Sequence, residues 1–220
     1  MRANTLIIGC GALAHELVAV LKASDWAHVD VDCLPAHWHN TPERIVPGVE
    51  AKILAARDRY ARIVVAYGDC GTGGALDTML ARHDVERLPG DHCYSFFAGA
   101  QVFDALAEAE IGTFYLTDYL AANFERLIMR DLGIREHPEL RDLYFGHYTR
   151  LLYLVQGDGT ADHGQHRVAG LPGDRMADAE AAAQALDLPL VTRFTGLAPF
   201  SQALRGIGVV AINKTTHPHA

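Results

Sequence analysis

The apolar positions of the chain change period repeatedly. "NTLII" is a continuous apolar run of strand length, and after the small residues of "GCG" the positions Leu13, Leu17, Val20 and Leu21 recur at helical spacing. "HVDVDCL" then alternates as a strand does, "PAHWHNTPERIVPG" reads as a loop, and "VEAKILAARDRYA" as a helix. Arg62 to Tyr67 predicts a third strand, "GGALDTMLARHD" its helix, and "VERLPG" a short strand and turn. "CYSFFAGAQVFDALAEAE" predicts one helix, with Phe96 and Phe97 as core residues, and "GTFYLTDYLAANFERLIMRDLG" an extended piece leading into an amphipathic helix. "HPELRDLYFGHYT" reads as helix and "RLLYLVQ" as a buried strand; "DRMADAEAAAQALDL", "PLVTRFTG" and "LAPFSQALRGIG" close the chain as helix, strand and helix. Residues 157–173 lack periodicity and read as a mobile surface loop.

Strands alternating with helices predict an α/β fold, a mostly parallel sheet with helices on both faces. The recurring strand, turn and helix units suggest pseudo-repeated Rossmann-like lobes within a single domain, residues 1–210, and residues 211–220, with His217 and His219, read as a flexible tail.

Composition removes several functions. The formal charge is −8, with 27 acidic against 19 basic residues, so nucleic acid and anionic membrane are poor partners. The early apolar run Thr5–Ile8 is far shorter than the roughly 20 residues that span a bilayer, and no signal-peptide pattern precedes it. A cytoplasmic protein is expected, whose four cysteines are ligands, catalysts or core residues rather than disulfides.

The cysteine positions carry the chemistry. Cys10 follows the first predicted strand, Cys33 ends the second, Cys70 follows the third, and Cys93 lies just after "VERLPGDH". Loops at the carboxyl ends of parallel strands gather on one edge, where ligands bind. The adjoining Gly9, Gly11, Gly71, Thr72 and Gly73 would let the backbone approach a bound group, and helix N-termini after each turn would lower the thiol pKa values. Two functional readings stay open beside plain packing. In one, three or four thiolates, with His92 or Cys33 as the fourth donor, hold zinc or a 4Fe-4S cluster. In the other, two cysteines act as acid and base on a small substrate, as in cofactor-independent racemases and isomerases. None of the spacings is C-x-x-C.

Other candidates surround these. His15 and Glu16 open the first predicted helix and are placed to carry protons near Cys10, or are exposed residues without a role. Tyr115, with Thr113, Thr117 and Asp118, supplies donors and acceptors at a further strand end. His37, Trp38, His39 and Asn40 could line a pocket, or belong to a rigid connector between Pro35 and Pro42. "GCGALAHE" only approximates a dinucleotide fingerprint, with Ala14 at its last position and Asp32 as the nearest acid.

At "YGDCGTGG", "HCYSFFAG" and "GTFYLTD" the sequence resembles domain-of-unknown-function family 1638, from about Thr5 to Gly208. The family's motif cysteines fall on Cys10, Cys70 and Cys93; Cys33 lies outside that set. The resemblance implies a companion of corrinoid-dependent methyltransferase and folate one-carbon systems, with a corrinoid protein or methyltransferase as partner and a small-molecule substrate. A non-catalytic accessory role and a homo-oligomer are both compatible with it. Three cysteines delivered by three strand-turn-helix units are also similar in layout to quinolinate synthase, whose motifs are absent.

Overall fold

The computed structural model describes residues 4–24, 26–157 and 175–207. Nearly all of the expected 157–173 loop, and the 211–220 tail, lie outside these residues. The chain folds as α/β with two parallel sheets, one ordered β2-β1-β3-β4 and the other β5-β6-β7. The first uses β1 (Thr5–Cys10), β2 (Val29–Leu34), β3 (Arg62–Ala66) and β4 (Glu86–Arg87); the second uses β5 (Thr113–Leu116), β6 (Arg150–Val155) and β7 (Leu190–Phe194).

Parallel neighbours need crossover connections, and helices supply them. In the first sheet these are α1 (Ala14–Ala23), α2 (Ile45–Ala56) and α3 (Ala75–His83). The two-residue period of β1 then divides its side chains. Ile7 joins a core with Leu13, Leu17 and Val20, whereas Leu6 and Ile8 join one with Ile45, Val49, Ile53, Leu76 and Met79. Both faces of the sheet are thereby covered at β1, the reason this strand reads as an unbroken apolar run.

The second sheet is covered in the same way. Leu151, Tyr153 and Val155 pack with α8 (Met176–Leu186), while Leu152 and Leu154 face Tyr115, Val102 and Phe103. The last helix, α9 (Ala198–Gly206), returns to the first sheet's core, where Phe200 meets the rings of Phe96 and Phe97. Phe200 and Leu204 are fully buried, a contribution of roughly 1.5–3 kcal/mol each. Among the described residues no helix is long and apolar enough to cross a membrane.

Three segments differ from the sequence expectation. Helix α2 begins at Ile45, inside the expected loop, because Pro47 falls in its first turn, where a missing N–H costs nothing. The single helix expected from Cys93 onward is two, α4 (Tyr94–Ala98) and α5 (Ala100–Ala109), broken at Gly99 with φ of 81°. The amphipathic helix after β5 is also split, into α6 (Asp118–Ala122) and a π-helical turn, Glu125–Arg130. A short α7 (Leu140–Phe145) precedes β6.

Candidate functional site

The carboxyl ends of β1, β3 and β5 open on a cavity of about 130 Å³, and Cys10, Cys70 and Cys93 all line it. Strand register explains the first of these. Gly9 of β1 pairs with Ala66 of β3, so the next residues along, Cys10 and Tyr67, lie side by side. Gly9 also pairs with Cys33 of β2, which puts Cys33 one residue out of phase with Cys10 and therefore on the opposite face. There Cys33 packs toward the α1 core, and it does not line the cavity.

Backbone contacts tie the turns of Cys70 and Cys93 together. The Asp69 and Cys70 amides donate to the carbonyls of Gly90 and Asp91, at 3.2 and 3.0 Å. Gly68 makes this approach possible, since a Cβ there would stand 2.9 Å from the Asp91 carbonyl oxygen and 3.1 Å from the His92 carbonyl carbon. Cys70 itself has φ of 49°, a left-handed conformation that a non-glycine residue adopts only when its surroundings impose it. The imposing group is Asp69. Its carboxylate accepts from the Thr72 hydroxyl at 2.7 Å and from the amides of Gly73 and Gly74 at 3.0 and 2.8 Å. These bonds hold its pKa below the ordinary carboxylate value. Arg87 pins the following turn by donating to the carbonyls of Leu88 and Gly90 while pairing with Asp77.

The expected lowering of the thiol pKa values is overturned. Burial and the nearby Cys10 sulfur push Cys70 up to about 12, and burial followed by Cys10 and Asp32 takes Cys33 to about 11. Burial also raises Cys10, and burial together with the Cys70 and Cys10 sulfurs raises Cys93 well above the usual thiol value. For two of the cysteines the helix ends are not where this stabilisation would need them: a 3-10 turn, Gly11–Leu13, separates Cys10 from α1, and α3 starts five residues after Cys70. Cys93 does stand at the start of the short α4, and there burial outweighs the helix end. Water-excluding walls and neighbouring sulfurs therefore decide, and the sulfurs carry protons.

The other expected site residues are distributed as follows. Glu16 is 3% exposed, its Oε2 has no hydrogen-bond partner, and burial lifts its pKa to about 7, with Asp118 adding to the shift. It lies within electrostatic reach of Cys93, behind the cavity wall. His15, one residue earlier, is exposed, and so is His92. Tyr115 faces away from the cavity and stacks on Tyr94 with ring centroids 5.3 Å apart; its neighbour Phe114 lines the cavity instead. Gly9, Gly11, Gly71, Thr72 and Gly73 do not line it. Thr72 and Gly73 are occupied by Asp69. Of the pocket-loop candidates, His39 and Asn40 line the cavity, and Asn40 Nδ2 donates to the Leu127 carbonyl at 3.2 Å, fastening the loop to the π-helical turn. Asp32, the acid weighed for a dinucleotide ribose, is paired with Lys52.

Several cavity residues were not singled out as site candidates, although Tyr67 and Tyr94 lie within the quoted motifs. Tyr67 is 2% exposed, its hydroxyl lacks a hydrogen-bond partner of regular geometry, and it stands beside Cys10, whose anion it favours. Tyr94, Leu127 and Ile128 also line the space, the last two presented by the π-helical turn, a feature frequent at functional sites. The signal for Tyr67 was available in the phase of β3 against β1; the others depend on how the two sheets meet.

The donor set fits a soft metal in kind, being three thiols with no carboxylate among the cavity residues. A bound cation would also relieve the mutual repulsion that keeps the sulfurs protonated. In position the fit is incomplete: among the described residues no three His, Cys, Asp or Glu side chains are gathered around a common point. Each cysteine sulfur has three staggered positions about a single torsion, so convergence on one ion requires side-chain rotation at an already shared cavity.

No curated protein and no solved structure matches the chain. A family profile matches residues 33–204, a span shorter at both ends than the resemblance drawn from the motifs; Cys70 and Cys93 fall inside it and Cys10 outside. The chain belongs to the family described as protein of unknown function DUF1638.

Proposed function

We propose that the cavity is a soft-metal site in which Cys10, Cys70 and Cys93 bind zinc or a 4Fe-4S cluster and leave one position open to the enclosed space. The observation that carries this reading is the arrival of three thiols, one at the end of β1 and two from the segments after β3 and β4, at one cavity. Neither Cys33 nor His92 belongs to the donor set, since Cys33 lies on the other face of the sheet and His92 is exposed. Three protein donors are the arrangement that leaves a position for water, thiol or substrate. When bound, the metal would supply a Lewis acid that lowers the pKa of what it binds. The protein's own part is to keep the three sulfurs adjacent, to exclude water, and to offer the Tyr67 hydroxyl to Cys10.

One-carbon or methyl transfer is the reaction class we assign to this centre, with a corrinoid protein or methyltransferase as partner. Its support is the association implied by the family resemblance and the suitability of an activated sulfur ligand for accepting an alkyl group.

The test is metal analysis and an absorption spectrum of protein purified without oxygen. Stoichiometric zinc without colour, or iron and sulfide with brown colour, is expected. The substitutions Cys10→Ser, Cys70→Ser and Cys93→Ser should each lose the metal, and Cys33→Ser should keep it. Wild-type protein that takes up neither zinc nor iron, or loses metal only on substitution of Cys33, overturns the proposal.

A further inference from the structure

The walls of the cavity restrict what can occupy the space in front of the thiols. None of the described residues that line it is Asp, Glu, Lys or Arg. Phe114, Leu120, Leu127 and Ile128 supply apolar surface. Of the polar groups, Thr117 Oγ1 accepts from the Leu120 amide and Asn40 Nδ2 donates to the Leu127 carbonyl, so both serve the fold. His39, Tyr67, Tyr94 and Tyr119 remain as polar handles, and loss of water around the His39 ring, reinforced by nearby His92, favours its neutral form. Near 130 Å³, the space is comparable with the ~150 Å³ apolar cavities that admit benzene.

From these observations we infer that the cavity takes a small uncharged molecule of about six non-hydrogen atoms, mostly apolar with one polar group, and rejects carboxylates and ammonium ions of the same size. Apart from the metal's own open position, an ion would meet no charged side chain in the cavity, and burying it unpaired is heavily penalised. The inference names the substrate class of the site proposed above and rests on that cavity being the functional one. It also separates that site from a cysteine-pair enzyme acting on a small acid. Such a substrate would need a cation or several amides at its carboxylate. The Gly73 and Gly74 amides, in the turn after Cys70, are already taken by Asp69.

Three probes matched at six non-hydrogen atoms test this: 2-pentanone, butyrate and pentylammonium. Binding of each to the full chain is measured by ligand-observed NMR titration, in protein as purified and in protein stripped with a chelator, with metal content determined in parallel. The ketone is expected to bind and both ions to bind roughly 100-fold more weakly or not at all, the discrimination expected for an unpaired buried ion. Leu120→Trp, which fills the cavity, and Ala36→Phe, which narrows it from another wall, should each abolish ketone binding. Their folding is checked by circular dichroism, so that either variant suffices if the other fails to fold.

Butyrate or pentylammonium binding as tightly as the ketone, or ketone binding that survives a folded variant, overturns the inference. No ketone binding to a metal-loaded wild type overturns it while leaving the metal reading intact. Ketone selectivity in a protein that binds no metal upholds the inference and removes the metal.

Discussion

Glu16 offers a direct test of how the first sheet and its surroundings are packed. Its carboxyl is 3% exposed, leaves Oε2 without a hydrogen bond, and has Asp118 close enough to oppose its ionisation. In the unfolded chain it titrates near 4.5 and in the folded protein near 7. The folded state therefore holds the proton more tightly. Its contribution to stability is fully present below pH 4.5 and is lost as pH rises through about 7. At about 1.4 kcal/mol per pH unit between the two values, the loss is ~3 kcal/mol, a large part of the 5–15 kcal/mol that stabilises a typical domain.

Glu16→Gln cannot ionise, so its stability should not fall over that interval for this reason. The amide leaves its own buried donor unpaired, at about 1–3 kcal/mol, but that cost does not vary with pH. Urea unfolding of both proteins from pH 4.5 to 8.5 separates the two effects. The variant's stability relative to wild type should rise by ~3 kcal/mol across the series, whatever its starting value. Curves that stay parallel to within roughly 1 kcal/mol would show that the carboxyl is hydrated or paired, and the reasoning would fail.

Three further outcomes are expected. Asp69→Ala removes the acceptor for Thr72, Gly73 and Gly74; a loss of about 1–2 kcal/mol, measured by urea unfolding, should accompany faster alkylation of Cys70 as its left-handed turn relaxes. Because the folded pKa of Asp69 is depressed, the wild-type advantage over Asp69→Ala is present above the ordinary carboxylate value and should shrink as pH falls through the folded one. Gly68→Ala drives a methyl group against the Asp91 and His92 backbone, so a destabilisation of about 1–3 kcal/mol and loss of any metal bound by wild type should appear together. Tyr153→Phe deletes the hydroxyl that donates to Asp118 at 2.7 Å and accepts from the Arg175 amide at 2.9 Å. A loss of about 1–3 kcal/mol is expected in urea unfolding, because both partners are left short of a bond away from bulk water.

The expected alternation of strands and helices is present, and its reason is visible in β1. "TLII" is apolar at every position because helices cover both faces of its sheet, which makes such a run a strand of a parallel sheet in the sequence already. Its division into two sheets was not legible, since nothing in the local pattern of β5 says that it leaves β4 and pairs with β6. Breaks within helices were missed where a single glycine, Gly99, takes a positive φ, and where Asn123 ends α6 before the π-helical turn.

The same division applies to the site. That Cys10, Cys33 and Cys70 lie at or just after a strand end can be read from "TLIIGC", "VDVDC" and "VVAYGDC", because strand ends are local properties of the chain. Which of them meet is a matter of strand phase and of contacts between distant turns. One residue of register turns Cys33 to the far face of the sheet, while Gly68 and the Asp91 carbonyl bring Cys70 and Cys93 to a common wall. The protonation of the thiols was misjudged from sequence for a related reason. Helix ends act over about one turn and can be guessed locally, but loss of water and the crowding of other sulfurs depend on everything that packs around them. The amino-acid pattern thus determined the elements and the edge at which the chemistry gathers. The tertiary structure alone decided which side chains share the cavity and in what charge state, because burial and register belong to the whole fold and to no single segment.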